Sequence, residues 1–267
     1  MRLKLSGFVF VAAIAFAQSQ SPSARPVFDA FEVATVKPTP LDWAGGRYIR
    51  MQSGHQFLAK NHTLKTLIAA AYNLSPKAIS GGPGWVDSDH FDILAKVPGE
   101  SRPDLEEQMS MLRKLLTERF KLTFHREQKE MSVYALTIAK NGSRLKESTA
   151  SPDATPEGPP PLVFALNPQL IRLPGRSASV AELASVFQRA ALDRPVIDKT
   201  GLSGRYDFDL EFVPDEIFFG GALGRGADDT KPGLLTAIQE QLGLRLEATK
   251  GLVPTLVIDQ ADRPTEN

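Results

Sequence analysis

The chain of 267 residues contains no cysteine. This excludes disulfides, thiolate metal sites and a lipid-modified cysteine at an export cleavage point, so burial alone must hold the fold. Neither sign of charge is in excess, with 31 Lys and Arg against 31 Asp and Glu. A nucleic-acid partner would require a basic stripe or a high pI, and none is expected here. Long apolar runs are missing as well. The longest, Leu5 to Ala17, has 13 residues, where spanning a bilayer takes about 20. Histidine is scarce: His55, His62, His90 and His125 lack the H-x-x-x-H spacing of a metal site. There is no G-x-S-x-G elbow, and the glycine-rich stretches 81–84 and 220–226 lack the G-K-[ST] of a phosphate loop. No cofactor and no metal are expected.

What is present begins with a targeting pattern. Arg2 and Lys4 precede the apolar run, and Ala15-Phe16-Ala17 supplies small residues for cleavage before Gln18. Residues 1–17 read as a signal peptide and 18–30 as a polar leader. The expected protein is exported, periplasmic or extracellular, with no stable membrane insertion once the signal is removed. Losing Arg2 and Lys4 leaves 31 less 2 basic residues against 31 acidic, a net of −2. With 42% hydrophobic residues the remainder can build a core.

The apolar spacing then occurs twice. Leu112–Leu136 lies over Leu234–Ile258 at a constant separation of 122 residues, pairing Leu116 with Ile238, Phe120 with Leu242 and Tyr134 with Leu256. Upstream, Thr63–Ala71 lies over Ser179–Phe187, and Phe91-Asp92-Ile93 over Tyr206-Asp207-Phe208. Thr63 predicts a helix cap, Ser101-x-x-Asp104 and Ser179-x-x-Glu182 predict capping boxes, and Leu105, Met109, Leu112 and Leu116 a buried helical face. Hairpins are predicted around Ser53-Gly54, at Lys129-Glu130, near Leu162–Leu173 and after Leu244. Residues 147–161 are proline-rich and read as a linker, and Pro214–Gly233 as a glycine-rich insertion. The expected fold is α+β and internally duplicated: two similar lobes, 31–146 and 162–267, each of helices on a small, mostly antiparallel sheet. Whether the lobes form one domain or two is left open.

Phe31-Glu32-Val33-Ala34, Ile79–Trp85, Asp198–Leu202, Gly204–Phe208 and the tail Arg263–Asn267 carry a resemblance. In these segments the chain resembles a soil-associated bacterial family of secreted proteins of unknown function. A similar domain occurs at the extracytoplasmic end of antirepressor-type metallopeptidase sensors. The resemblance implies no reaction and transfers no catalytic residue.

Catalytic patterns fare poorly on their own terms. Ser143-x-x-Lys146, Lys199-Thr200-Gly201 and Ser88-Asp89-His90 imitate the penicillin-recognising set, but in the wrong chain order and with the serine in a loop. Asp87, Asp89 and Asp92 lack the glycine and closing glutamate of a calcium loop. Trp85, after a Gly-Pro-Gly turn, reads either as a core plug or as a ligand platform. With Asp87, Arg205 and Asp207 it forms the candidate ligand-binding set. The leading expectation is a non-enzymatic binding or interaction module, its partner an unidentified protein or small extracytoplasmic ligand. The alternatives are a secreted hydrolase with an acid pair near Asp87 and Asp207, or an accessory domain in signalling.

Overall fold

The structure, a computed structural model, describes residues 27–149, 161–166, 170–214 and 231–265. The signal segment, most of the leader, most of the linker, the bulk of the glycine-rich insertion and the last two residues lie outside the described residues. The architecture is mixed α and β, with the strands in three four-stranded sheets.

The first half of the chain supplies β1 (Val33–Pro38), β2 (Tyr48–Gln52), β3 (Gln56–Thr63), α1 (Leu64–Ala71), β4 (Ile79–Gly81), α2 (Trp85–Ser88), β5 (His90–Lys96), α3 (Leu105–Arg119) and β6 (Thr123–Ile138). Hairpin β2–β3 turns at Ser53, whose φ of 67° is the left-handed value a tight turn requires. Thr63 caps α1 by accepting the Thr66 amide at 3.2 Å. The cap of α3 differs from expectation. Asp104 and Glu107 form the capping box, three residues beyond the Ser101–Asp104 pair. Pro103 explains the shift, because it disfavours helical backbone at Arg102, where the earlier box would need it. Leu105 consequently stands at the first helical position and is 48% exposed, while Met109, Leu112 and Leu116 are buried.

The second half supplies β7 (Lys146–Glu147), β8 (Ala165–Leu166), β9 (Ile171–Ala178), α4 (Val180–Val186), β10 (Val196–Asp198), β11 (Tyr206–Phe212), α5 (Leu234–Ala237) and β12 (Leu244–Gln260). Ser179 and Glu182 cap α4 reciprocally, as their spacing predicts. Both α4 and α5 run on into a π-helical turn, Phe187–Ala191 and Ile238–Leu242.

The first sheet has the order β1-β5-β3-β2 and the third β7-β11-β9-β8. The second, β10-β6-β12-β4, draws strands from both halves. Here two expected hairpins are overturned. Lys129-Glu130 is no turn, and nothing folds back after Leu244: β6 and β12 are single long strands, antiparallel from Leu244 opposite Ile138 to Ile258 opposite Phe124. Lys129-Glu130 contains no residue suited to the positive φ of a two-residue turn. The partner edge that a hairpin would have provided comes instead from the other half of the chain. β4 and β10 add parallel at the outer edges, Ile79 beside Leu256 and Val196 beside Tyr134.

Among the described residues two large hydrophobic clusters result, with a small third one at Phe28, Val97 and Met111. One gathers Phe57, Leu67, Ile68, Ile93, Leu112 and Leu116 with Leu256 and Ile258 from the end of the chain. The other gathers Leu183, Phe187, Leu210, Phe212 and Leu244 with Leu136 from β6. Each long strand therefore serves both clusters. Gly243 makes the entry to β12 possible: its φ is 64°, and a Cβ there would lie 2.2 Å from the Gly142 carbonyl oxygen. Replacing Gly243 by Ala is expected to destabilise the protein by about 1–3 kcal/mol. An unchanged urea midpoint would contradict this account of the β6–β12 junction.

Candidate functional site

The four residues singled out in the sequence fall in two places, Trp85 and Asp87 on α2 and Arg205 and Asp207 at the start of β11. Trp85 lies on α2 and is 9% exposed, stacked on Phe120 with centroids 6.4 Å apart and edge-on to Phe91 at 6.1 Å. The Arg263 guanidinium closes over its ring at 5.3 Å, held by a 2.8 Å bond from Nε to Asp89. Of the two readings, Trp85 takes the part of the plug. Asp87 pairs with Lys65 at 2.6 Å. Arg205 bonds the Ser177 carbonyl at 2.6 Å and faces Glu182 at 3.3 Å.

Asp207 has a backbone task. It accepts the Ser177 amide at 2.7 Å, and Ser177 sits at a φ of 51° in a bulge of β9 against β11. That bond, with the Ser148 side chain and Arg176 beside it, holds the carboxyl below its ordinary pKa. A catalytic acid would need the opposite shift. Asp87 stands on α2 and Asp207 on β11, each with partners of its own.

The same device in the first sheet builds a different site. Asp92 accepts the Asn61 amide at 3.0 Å, and Asn61 has a φ of 58°. The β3–β5 register slips between Ala59 and His62. In a regular strand Phe57, Ala59 and residue 61 would point inward, but the extra residue at the bulge brings His62 in instead. His62 is 6% exposed. Its counterpart against Tyr206 in the third sheet is Ala178, so the bulge does not itself demand a histidine.

His62 meets Thr66 on one side, Nδ1 to Oγ1 at 3.2 Å, and its Nε2 has no hydrogen-bond partner. The Tyr48 backbone acts on the ring's charge but stands outside hydrogen-bond geometry. Burial first, and then the Arg47 charge, push the pKa of His62 down to about 3, so the ring is neutral. It opens on a cavity of about 150 Å³ lined also by Arg47, Tyr48, Thr66, Pro76 and Arg189. Arg189 comes from the π-helical turn after α4, a rare geometry often found where side chains are aimed for function. Gln188 and Ser185 fix that turn to the end of α1 through Asn73, at 3.0 and 2.9 Å.

Burial lowers the pKa of both guanidinium groups, yet they remain charged. Arg189 donates Nε to the Ser185 carbonyl at 3.1 Å. Among the described residues no carboxylate lies within ion-pairing distance of either. Asp92 is near enough to act on His62 but is engaged by Lys60, Thr39 and Asn61. The cavity is thus positive, partly apolar and uncompensated. A wider depression of about 210 Å³ at Leu235, Thr236, Glu240 and Arg245 has no comparable buried polar group. His125, on the exposed face of β6, lies between Asp259 and Glu127, which raise its pKa. Among the described residues no three potential metal ligands cluster, and no helix is long and apolar enough to cross a membrane.

Arg47, His62 and Arg189 were not distinguishable in the sequence. Arg47 and Arg189 are far apart along the chain, and the bulge that turns His62 inward has no signature beyond an Asn preceding it.

Three small sheets joined by a shared strand pair, with a cationic pocket between first-half strands and a second-half helix, define a mixed α/β protein. The chain belongs to the DUF3738 family, described as proteins of unknown function, whose match spans residues 65–261. Searches of curated proteins and of solved structures gave no match.

Because the folded His62 pKa lies below the unfolded value of about 6.5, unfolding takes up a proton under acid conditions. Stability is therefore lost as pH falls from about 6.5 toward 3. Between pH 7 and pH 5 the protein is expected to lose about 2 kcal/mol more than a His62→Gln variant. Parallel urea-unfolding profiles for the two chains would show that His62 is not held neutral.

Proposed function

We propose that this protein is a non-enzymatic binding module whose small ligand occupies the cavity at His62. The observation that carries the reading is a buried imidazole nitrogen without a partner, on a residue that lines a cavity. Buried polar groups are nearly always satisfied, and one left open at a cavity points to a group supplied from outside. Residues from both halves of the chain line the space, as a groove between related lobes would require.

Internal duplication belongs to the same reading. It is supported by the 122-residue spacing, because Glu130 and Leu252, which face each other at the middle of the long pair, are 122 residues apart. The matching orders of the first and third sheets and the paired Asp92–Asn61 and Asp207–Ser177 bulges support it too. On this view the halves exchange β4 and β10 and make one body. The N-terminal pattern supports export to the periplasm or beyond.

Thermal unfolding against single sugars, amino acids, short acids and alcohols tests the binding reading. A ligand at about 100 times its dissociation constant adds about 2.7 kcal/mol, a midpoint shift of about 5–10 °C in a chain of this size. The shift should shrink in His62→Leu and persist in Trp85→Phe. Loss in Trp85→Phe alone would move the site to α2, and no shift with any compound would remove the reading.

A further inference from the structure

The chemistry of the ligand follows from the proton arrangement around His62, and this step rests on the binding reading above. Thr66 has one hydroxyl proton, which it donates to the Thr63 carbonyl at 2.9 Å. Thr63 Oγ1 donates to Thr66 Oγ1 at 3.3 Å while accepting the Thr66 amide. With its proton spent, Thr66 Oγ1 can only accept from His62, so the neutral ring carries its proton on Nδ1. Nε2 then carries an unpartnered lone pair on a residue that lines the cavity. It asks for a donor from the ligand, while Arg47 and Arg189 ask for an anion.

An ammonium donor is disfavoured, because two guanidinium groups and no carboxylate line the space. A hydroxyl is the donor that fits beside an oxyanion. Ala69, Ala70 and Pro76 supply an apolar wall suited to a short carbon body. A cavity near 150 Å³ is the size that admits a benzene-sized molecule. We propose that the pocket binds a small hydroxycarboxylate, its carboxylate on Arg47 and Arg189 and its hydroxyl donating to His62 Nε2.

Three probes of similar size separate the parts of the proposal. Lactate has both groups, propionate lacks the hydroxyl, and lactamide lacks the charge. In titration calorimetry on the full chain, lactate should bind about tenfold more tightly than either of the others. Arg47→Gln and Arg189→Gln, checked for folding by circular dichroism, should each remove most of the preference for lactate over lactamide. His62→Leu should remove the preference for lactate over propionate. In a long-range proton–nitrogen spectrum, lactate should shift the unprotonated His62 Nε2 resonance and leave the His125 resonances in place.

Equal binding of lactate and propionate, or a protonated Nε2 in the free protein, would overturn the hydroxyl assignment. Equal binding of lactate and lactamide would overturn the anionic assignment. Inorganic phosphate binding where lactate does not would replace the carboxylate with another oxyanion. In each of these cases a His62-dependent midpoint shift with any compound leaves the binding reading intact. Absence of binding by all four probes refutes the hydroxycarboxylate, and only silence across the wider panel refutes the pocket.

Discussion

The antiparallel pairing of β6 with β12 is the constraint on which the other elements depend. Each strand of the pair begins in one hydrophobic cluster and ends in the other, so neither cluster is complete without it. Leu256 and Ile258 close the core around α1 and α3, while Leu136 closes the core around α4 and α5. The parallel edges extend this dependence, since among the described residues β4 and β10 have hydrogen-bonded strand partners only on β12 and β6. A register slip of one residue would turn these leucines outward on both sides at once.

The pocket inherits its position from that arrangement. The β2–β3 hairpin and α1 belong to the first core, and the π-helical turn that carries Arg189 belongs to the second. The Asn73 contacts to Ser185 and Gln188 bring the ends of α1 and α4 together. The histidine is then aimed by a backbone device, in which an aspartate clamps the amide of a left-handed residue and shifts the strand's alternation by one. The third sheet uses the same clamp at Asp207 with alanine in the inward place, which separates the structural role of the aspartate from the chemical role of His62.

Much of the local structure was legible because it rests on short-range chemistry. Thr63 and the Ser179–Glu182 box start helices where their spacing implies, since a side-chain oxygen three residues from an unpaired amide has few other partners. The Ser101–Asp104 spacing implies a cap three residues before the one at Asp104, and Pro103 shifts it by acting on the residue before it. The long strands resemble hairpins in the sequence for a different reason. Alternating apolar residues specify a strand and its inward face but do not name its neighbour, and two shorter strands fit the same pattern. Trp85 was ambiguous because burial depends on Phe91, Phe120 and Arg263, which only tertiary packing assembles.

From its sequence alone the chain determined the export pattern, the absence of disulfide or thiolate chemistry, the positions of most helices and strands, and the recurrence of apolar residues at a spacing of 122. These follow from composition and from contacts within a few residues. The tertiary structure decided that the halves share a central sheet, that Asp207 serves the backbone, and that Arg47, His62 and Arg189 surround one cavity. Those outcomes rest on strand partnership, on a one-residue bulge and on charges brought together from distant parts of the chain, and periodicity along a sequence has no means of encoding which distant residue comes to lie alongside.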